Sequence, residues 1–297
     1  MIKATEKLKE HAMSTIKPVN TDTAAFTPQK SFLVLFDSDG CVMDSMTPKH
    51  RLCFLPLLIK EWNLEAHEKE IKEIWERINL YSSSRGINRF RGLALTLKEV
   101  NADLRPIVGI GNLLHWTEGD ELSEASLMRK IEANHEVDIF KKALAWSRGV
   151  NRASAELDMP PFKGAREALA LASRFADVAV VSGAAPDALY HEWTRHKLTK
   201  DIDLLLGQNA GKKERVIAAL TEKGYAPTNI LMCGDSLFDL QAARLNKIHF
   251  FPIVAEREEE SWRLAQEAFG QFKDQSYGCL EAELVTKFED KLNGGRI

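Results

Sequence analysis

Five apolar residues in a row, Phe32 to Phe36, run straight into Asp37-Ser38-Asp39-Gly40. An unbroken apolar run of this length, ending in a turn signal, predicts a strand buried on both faces. Such strands belong to parallel sheets with helices packed on either side. The two carboxylates that follow carry a cost, because like charges this close raise each other's pKa unless a cation lies between them. A hard divalent cation with oxygen ligands removes that cost, and such ions often keep a phosphate oxygen as a further ligand. Gly40 lets the backbone turn where a side chain would clash. The plainer reading is an acidic turn closing a core strand, and the chemistry at the other strand ends decides between the two.

The rest of the chain supplies those strand ends. From residue 163 onward helical and strand patterns alternate. Helices are predicted over 163–175, 185–197, 212–223 and 237–246, and strands over 178–182, 203–207, 230–233 and 248–254. Strands that are apolar throughout and alternate with helices predict an α/β fold, a doubly wound parallel sheet with helices on both faces. Between Lys49 and Arg148 the pattern changes to amphipathic helices with no strand. Leu52, Leu55, Leu58, Ile59 and Trp62 space as one helix face, as do Ile71, Ile74, Trp75 and Ile78. Two more helices are expected within 120–134 and 136–148, and a polar loop carries Arg85, Arg89 and Arg91. The expected organisation is a polar lead-in over 1–30 with a helix within 3–12, a core formed by 31–48 and 150–297, and a helical insert over 49–149.

Composition narrows the function classes. A net charge of -3 gives no basic footprint for nucleic acid. No apolar run reaches the ~18 residues of a membrane span, and the Lys- and Glu-bearing start lacks the apolar stretch of a secretory signal. The four cysteines show neither zinc spacing nor a C-x-x-C pair, which fits reduced thiols in a cytoplasmic protein.

In a doubly wound sheet, ligands sit at the carboxyl ends of the strands. Asp37 and Asp39 follow the first predicted strand, Ser182-Gly183 end the second, Lys212 and Lys213 open the helix after the third, and Asp235 and Asp239 follow the fourth. Each has a plain alternative: a strand-to-helix turn for Ser182-Gly183, a solvated helix start for the lysines, a helix cap for Asp235. Together they make a phosphoryl-transfer set. Asp37 is the candidate nucleophile, and Asp39 the candidate acid and base. Ser182, neighbouring N–H groups and a lysine would hold the phosphate oxygens. Asp37, Asp235 and the Asp39 carbonyl would hold Mg2+, with Asp239 holding its waters.

These segments resemble the haloacid dehalogenase-like (HAD) hydrolase superfamily. FDSDGCVMDS is similar to its first motif, VVSGA to the second, AGKKE to the third and GDSLFD to the fourth, and the resemblance spans residues 31 to 254. It implies a Rossmann-like core with an all-helical cap of the first type inserted between the first two motifs. Two features depart from the pattern: Cys41 stands where Thr or Val is usual, and the Lys-Pro continuation of the third motif is absent. Glu214, in a Lys-x-Glu form of that motif, favours Lys212 over Lys213. Asp39 sets the chain apart from the superfamily's dehalogenases, which lack that residue. The implied activity is a Mg2+-dependent phosphatase acting on a small phosphorylated metabolite through a phospho-aspartate. A phosphomutase of the same fold and a binding or regulatory protein without turnover are the alternatives. Arg85, Asn88 and Arg89 in the cap loop, and His50 just inside the cap hinge, are the candidate substrate residues.

Overall fold

The structure, a computed structural model, describes residues 19–119, 121–133 and 138–294. The helix expected within 3–12 lies outside them. Among the described residues five strands form one parallel sheet: β1 (Phe32–Phe36), β2 (Ala176–Val181), β3 (Leu204–Leu206), β4 (Ile230–Gly234) and β5 (His249–Pro252), in the order β3-β2-β1-β4-β5. The chain therefore winds outward from β1 in one direction and then the other, which places β1 between β2 and β4. Phe36 pairs with Val180 on one side and Cys233 on the other.

Alternate residues of the strands point to opposite faces, and each face has its own apolar cluster. Val34, Phe36, Val178 and Val180 pack with Trp193, Trp262 and Phe269. Leu33, Leu35, Ala179 and Met232 pack with Ile217, Phe250 and Phe288 on the other side. Two covered faces explain why the strands read as unbroken apolar runs.

A third cluster lies apart from the sheet, inside the helices between Met46 and Ala155. It is rich in aromatic residues: Phe54, Trp62, Trp75, Phe90, Trp116, Phe140 and Trp146. Met46–Lys49, a π-wound segment His50–Phe54 and Leu55–Trp62 follow one another directly, and Glu68–Asn79 comes after them. Arg89–Asp103 and Ile110–Thr117 are helices too, although the sequence singled out neither. The polar opening Arg-Phe-Arg-Gly conceals a face made by Phe90, Leu93, Ala94, Leu97 and Val100. Two segments join this helical body to the core and run side by side. Asp44 N–H donates to Pro160 O at 2.9 Å, and Phe162 N–H donates to Val42 O at 2.9 Å. The boundary expected at 149/150 falls within the helix Asp138–Ala155, because Val150 continues the buried face of Ala143 and Trp146 past that point.

Candidate active site

The carboxyl edge of the sheet gathers side chains that are far apart in sequence. Asp37 continues β1, its N–H bonded to Cys233 O at 2.9 Å, and Ser182 continues β2, its N–H bonded to Leu206 O at 2.9 Å. Asp235 follows β4 and is buried. The loop after β1 is pinned from two sides: Trp193 Nε1 donates to Ser38 Oγ at 2.8 Å, and Trp262 Nε1 donates to Cys41 O at 3.1 Å. Gly40 has φ +78°, and a Cβ there would overlap Asp235 Oδ2 and lie 2.7 Å from Arg85 Nη2. Only glycine fits, both for its left-handed backbone and for the space.

Asp37, Asp235 and Asp239 each offer a carboxylate oxygen, all within 4.8 Å of one another and all buried. Burial, with the neighbouring charges of Asp239 and Asp235, pushes the Asp37 carboxyl well above its usual range despite Lys213. Burial likewise pushes Asp235 up to about 6, against the pull of Arg85. Carboxylates this hard to ionise, held this close, are the setting in which a divalent cation is most favourable. The donor set is all oxygen and fits Mg2+ by hardness.

The lysine at this site is Lys213. Its Nζ lies 2.9 Å from Asp37 Oδ1 and 2.5 Å from Asp239 Oδ1. Burial opposes its charge, but the two aspartates outweigh burial and raise its pKa. Lys212, favoured by the Lys-x-Glu spacing, is instead the exposed N-cap residue of the helix Lys213–Thr221. The extended backbone at Lys212 precedes the first helical residue, and that first residue is the one turned toward the carboxylates. Asp239 has both oxygens engaged. Oδ1 meets Lys213, and Oδ2 accepts from Ser236 Oγ at 2.6 Å and Ser236 N–H at 3.2 Å in a capping box.

Asp39 faces the helical body. Its Oδ1 accepts from Ser45 Oγ and from Lys49 Nζ, the latter at 2.5 Å. Burial works to raise its pKa, but Lys49 and Ser45 outweigh that and hold it below the usual value. Lys49 also lies 3.6 Å from Glu192. Burial pushes Glu192 up to about 7 in spite of Lys49. Neither Lys49 nor Glu192 was found by sequence reasoning. Lys49 did carry a signal, a cation directly after Pro48 at the hinge, whereas Glu192 is one carboxylate among several on an amphipathic helix.

The candidate cap residues divide. Arg85 is buried, with Nε 2.7 Å from Asp235 Oδ2. Arg89 opens the helix Arg89–Asp103 and contributes to lowering the Asp39 pKa. It donates to Asn151 Oδ1 at 2.6 Å, with its guanidinium carbon 5.3 Å from the Phe54 ring centroid. Asn88 has a structural task instead: its Oδ1 accepts from Phe90 N–H at 2.9 Å as a helix cap, and its Nδ2 donates to Leu122 O at 3.1 Å. His50 is likewise spent within the aromatic cluster. Its Nδ1 accepts from Trp75 Nε1 at 3.1 Å and its ring stacks on Phe54. Burial, with Arg85 nearby, lowers its pKa to about 3, so it is neutral. Ser182 is buried with its Oγ accepting from Ala184 N–H at 3.1 Å, and Gly183 beside it is exposed.

Residues 119–253 match the family described as haloacid dehalogenase-like hydrolase. That segment carries the ends of β2, β3 and β4. Solved structures align with most of the chain. A candidate haloacid dehalogenase-like hydrolase from Bacteroides fragilis is 14% identical, over 78% of this chain and 93% of that one, with a TM-score of 0.51. A haloacid dehalogenase-like family hydrolase from Streptococcus pneumoniae is 13% identical, over 81% and 98%, at 0.49. A candidate hydrolase of the same type from Bacillus subtilis, solved bound to magnesium, is 16% identical, over 75% and 86%, at 0.47. No match is found among the curated proteins. The family match thus covers 135 of the 297 residues, and the solved structures share the fold. No helix among the described residues is long and apolar enough to cross a membrane.

Proposed function

We propose that this protein is a Mg2+-dependent phosphatase that hydrolyses a small phosphate monoester through a phospho-aspartate at Asp37. The observation that carries the reading is the buried meeting of Asp37, Asp235 and Asp239 with Lys213. Asp37 and Asp235 are the residues that would hold Mg2+, which when bound supplies positive charge to the nucleophile and to the phosphate oxygens. Asp239, with its oxygens spent on Lys213 and the capping box, positions the lysine.

The remaining steps belong to the chain's own groups. An Asp37 carboxylate oxygen attacks phosphorus, forming an acyl phosphate and splitting one hard displacement into two. Lys213 and the Ser182 edge of β2 face the charge that spreads over the phosphate oxygens. Asp39 gives its proton to the departing oxygen, then removes one from the water that opens the acyl phosphate. Lys49 holds Asp39 ionised beforehand. The negative charge of an arriving phosphate ester favours proton uptake by Asp39, because like charge nearby raises a carboxylate pKa. Arg89 is a cap residue we assign to the substrate, since its guanidinium lies on the Asp39 side of the helical body. The experiment is a Mg2+-supplemented screen of the full-length protein against metabolite phosphates, reading inorganic phosphate release. Turnover with phosphate released supports the reading. Isomerised product without free phosphate, or no turnover by a protein that binds Mg2+, defeats it.

A further inference from the structure

We infer that Arg85 is the resident counter-cation of Asp235, and that a divalent cation and Arg85 exclude one another, so that metal loading and release of the loop over residues 81–88 are one event. The inference rests on the metal reading above. Asp235 and Arg85 form the most deeply buried ion pair among the described residues, with side chains 3% and 2% exposed and Nε 2.7 Å from Oδ2. The guanidinium is anchored at its other end as well, Nη1 donating to Leu80 O at 3.0 Å. Its Nη2 lies 2.7 Å from where a Gly40 side chain would begin, so the head group fills the space between the β1 turn and Asp235. One residue on, a Cβ on Gly86 would lie 2.9 Å from Ser236 Cβ, so the loop is seated directly on the end of β4.

Charge decides what this contact does. With all three ionised, as metal ligation requires, the carboxylates of Asp37, Asp235 and Asp239 face two cations, Lys213 and Arg85, leaving one negative charge. The neighbouring Asp39 and Lys49 cancel each other. Adding a divalent cation while Arg85 stays gives one excess positive charge in a largely buried site, with two cations competing for the same carboxylate. Adding it while Arg85 leaves gives neutrality. A buried guanidinium without its carboxylate is costly, so Arg85 withdraws into water with its loop instead of staying unpaired. A phosphate dianion arriving next restores the negative charge that attracts Arg85 back. The same residue is therefore held before the metal binds, repelled once it has bound and drawn in again by substrate. Coupling of this kind is reciprocal: whatever the metal does to the loop, the loop does to metal affinity.

The test is Mg2+ titration by calorimetry of the full-length protein and of Arg85→Met, with hydrogen exchange of the loop followed in the unmodified protein. The expected results are at least tenfold tighter Mg2+ binding by the variant, and faster exchange over residues 81–88 when Mg2+ is added to the wild type. Equal or weaker binding by the variant overturns the inference, because Arg85 would then orient Asp235 for the metal. Unchanged or slower loop exchange overturns it too, and that measurement stands even if the variant does not fold. Absence of Mg2+ binding to both proteins removes the metal reading and this one with it. Mg2+ binding that is indifferent to Arg85 removes this one alone.

Discussion

Asp37 and Ser182 hang on backbone bonded to the neighbouring strand, Asp235 directly follows β4 and Asp239 sits in a capping box, whereas Arg85, Lys49 and Arg89 hang on a loop, a short helical turn at the hinge and a helix N-terminus. The first group is fixed to the sheet. The second reaches that sheet from the helical body through ion pairs, Arg85 to Asp235 and Lys49 to Asp39 and Glu192. Groups that must meet reacting atoms within tenths of an ångström belong on rigid elements. Groups that admit, sense or release a ligand belong on elements that move at modest cost. The contrast makes a graded claim: loss of a rim residue removes the reaction, and loss of a cap residue changes how ligands come and go.

Asp37→Asn is the strongest attempt to break that claim. Its amide is near the size of the carboxylate but is not a nucleophile. Turnover of p-nitrophenyl phosphate with Mg2+ is expected to fall by about ten-thousandfold or more. Residual Mg2+-dependent turnover within a hundredfold of wild type would remove Asp37 from its role. Next in size is Lys213→Met, expected to lower kcat by roughly a hundred- to a thousandfold, while Lys212→Met stays within about threefold of wild type. Folding of the Lys213 variant is checked by circular dichroism, since a buried carboxylate pair loses its partner there. An equal loss in both lysine variants would contradict the placement of Lys213 beside Asp37 and Asp239.

How much of this is legible in the sequence follows the same division. The strands and the rim residues are readable because an apolar run ending in a polar residue fixes two things at once, a buried strand and the edge at which it ends. Asp37, Ser182 and Asp235 follow from that rule alone. The choice between Lys212 and Lys213 does not, because one residue's rotation at a helix start is set by how the helix Lys213–Thr221 packs against Leu240 and its neighbours on that face of the sheet. His50 and Asn88 read as ligand groups from their place in the chain. Their partners, Trp75 and Leu122, lie 25 and 34 residues away, and no local pattern reports them. Glu192 acquires its character from burial, and its partner Lys49 comes from the other side of the cap hinge, so neither is reported by a local pattern.

Arg89→Ala sharpens the comparison from the cap side. Arg89 is tethered to Asn151 and lies over Phe54. Its removal is expected to raise KM about tenfold and to change kcat by less than about threefold, the pattern of a lost binding contact. A fall in kcat as large as that of Lys213→Met would move Arg89 to the rim class.

The smallest expected effect concerns stability instead of rate. Glu192 carries a pKa raised from 4.5 to about 7, with burial the largest cause and Lys49 pulling the other way. The sign follows from linkage. A carboxyl whose pKa is higher folded than unfolded contributes stability below the unfolded value, and that contribution is lost as pH rises through the folded value. Metal-free wild-type protein should therefore lose stability between about pH 4.5 and 7 through this group, by roughly 1–2 kcal/mol after allowance for its coupling to Lys49. Asp37 and Asp235 are also raised and tilt the curve the same way. Glu192→Gln separates them: denaturant unfolding at pH 5 and pH 8 should show a smaller difference in the variant than in the wild type, by about the amount just given. Lys49 keeps Asp39 as its partner at 2.5 Å, so the substitution leaves no unpaired ammonium behind. An unchanged difference between the two pH values would mean that Glu192 ionises freely, and that the cap–core gap beside Lys49 is open to water instead of closed by that pair.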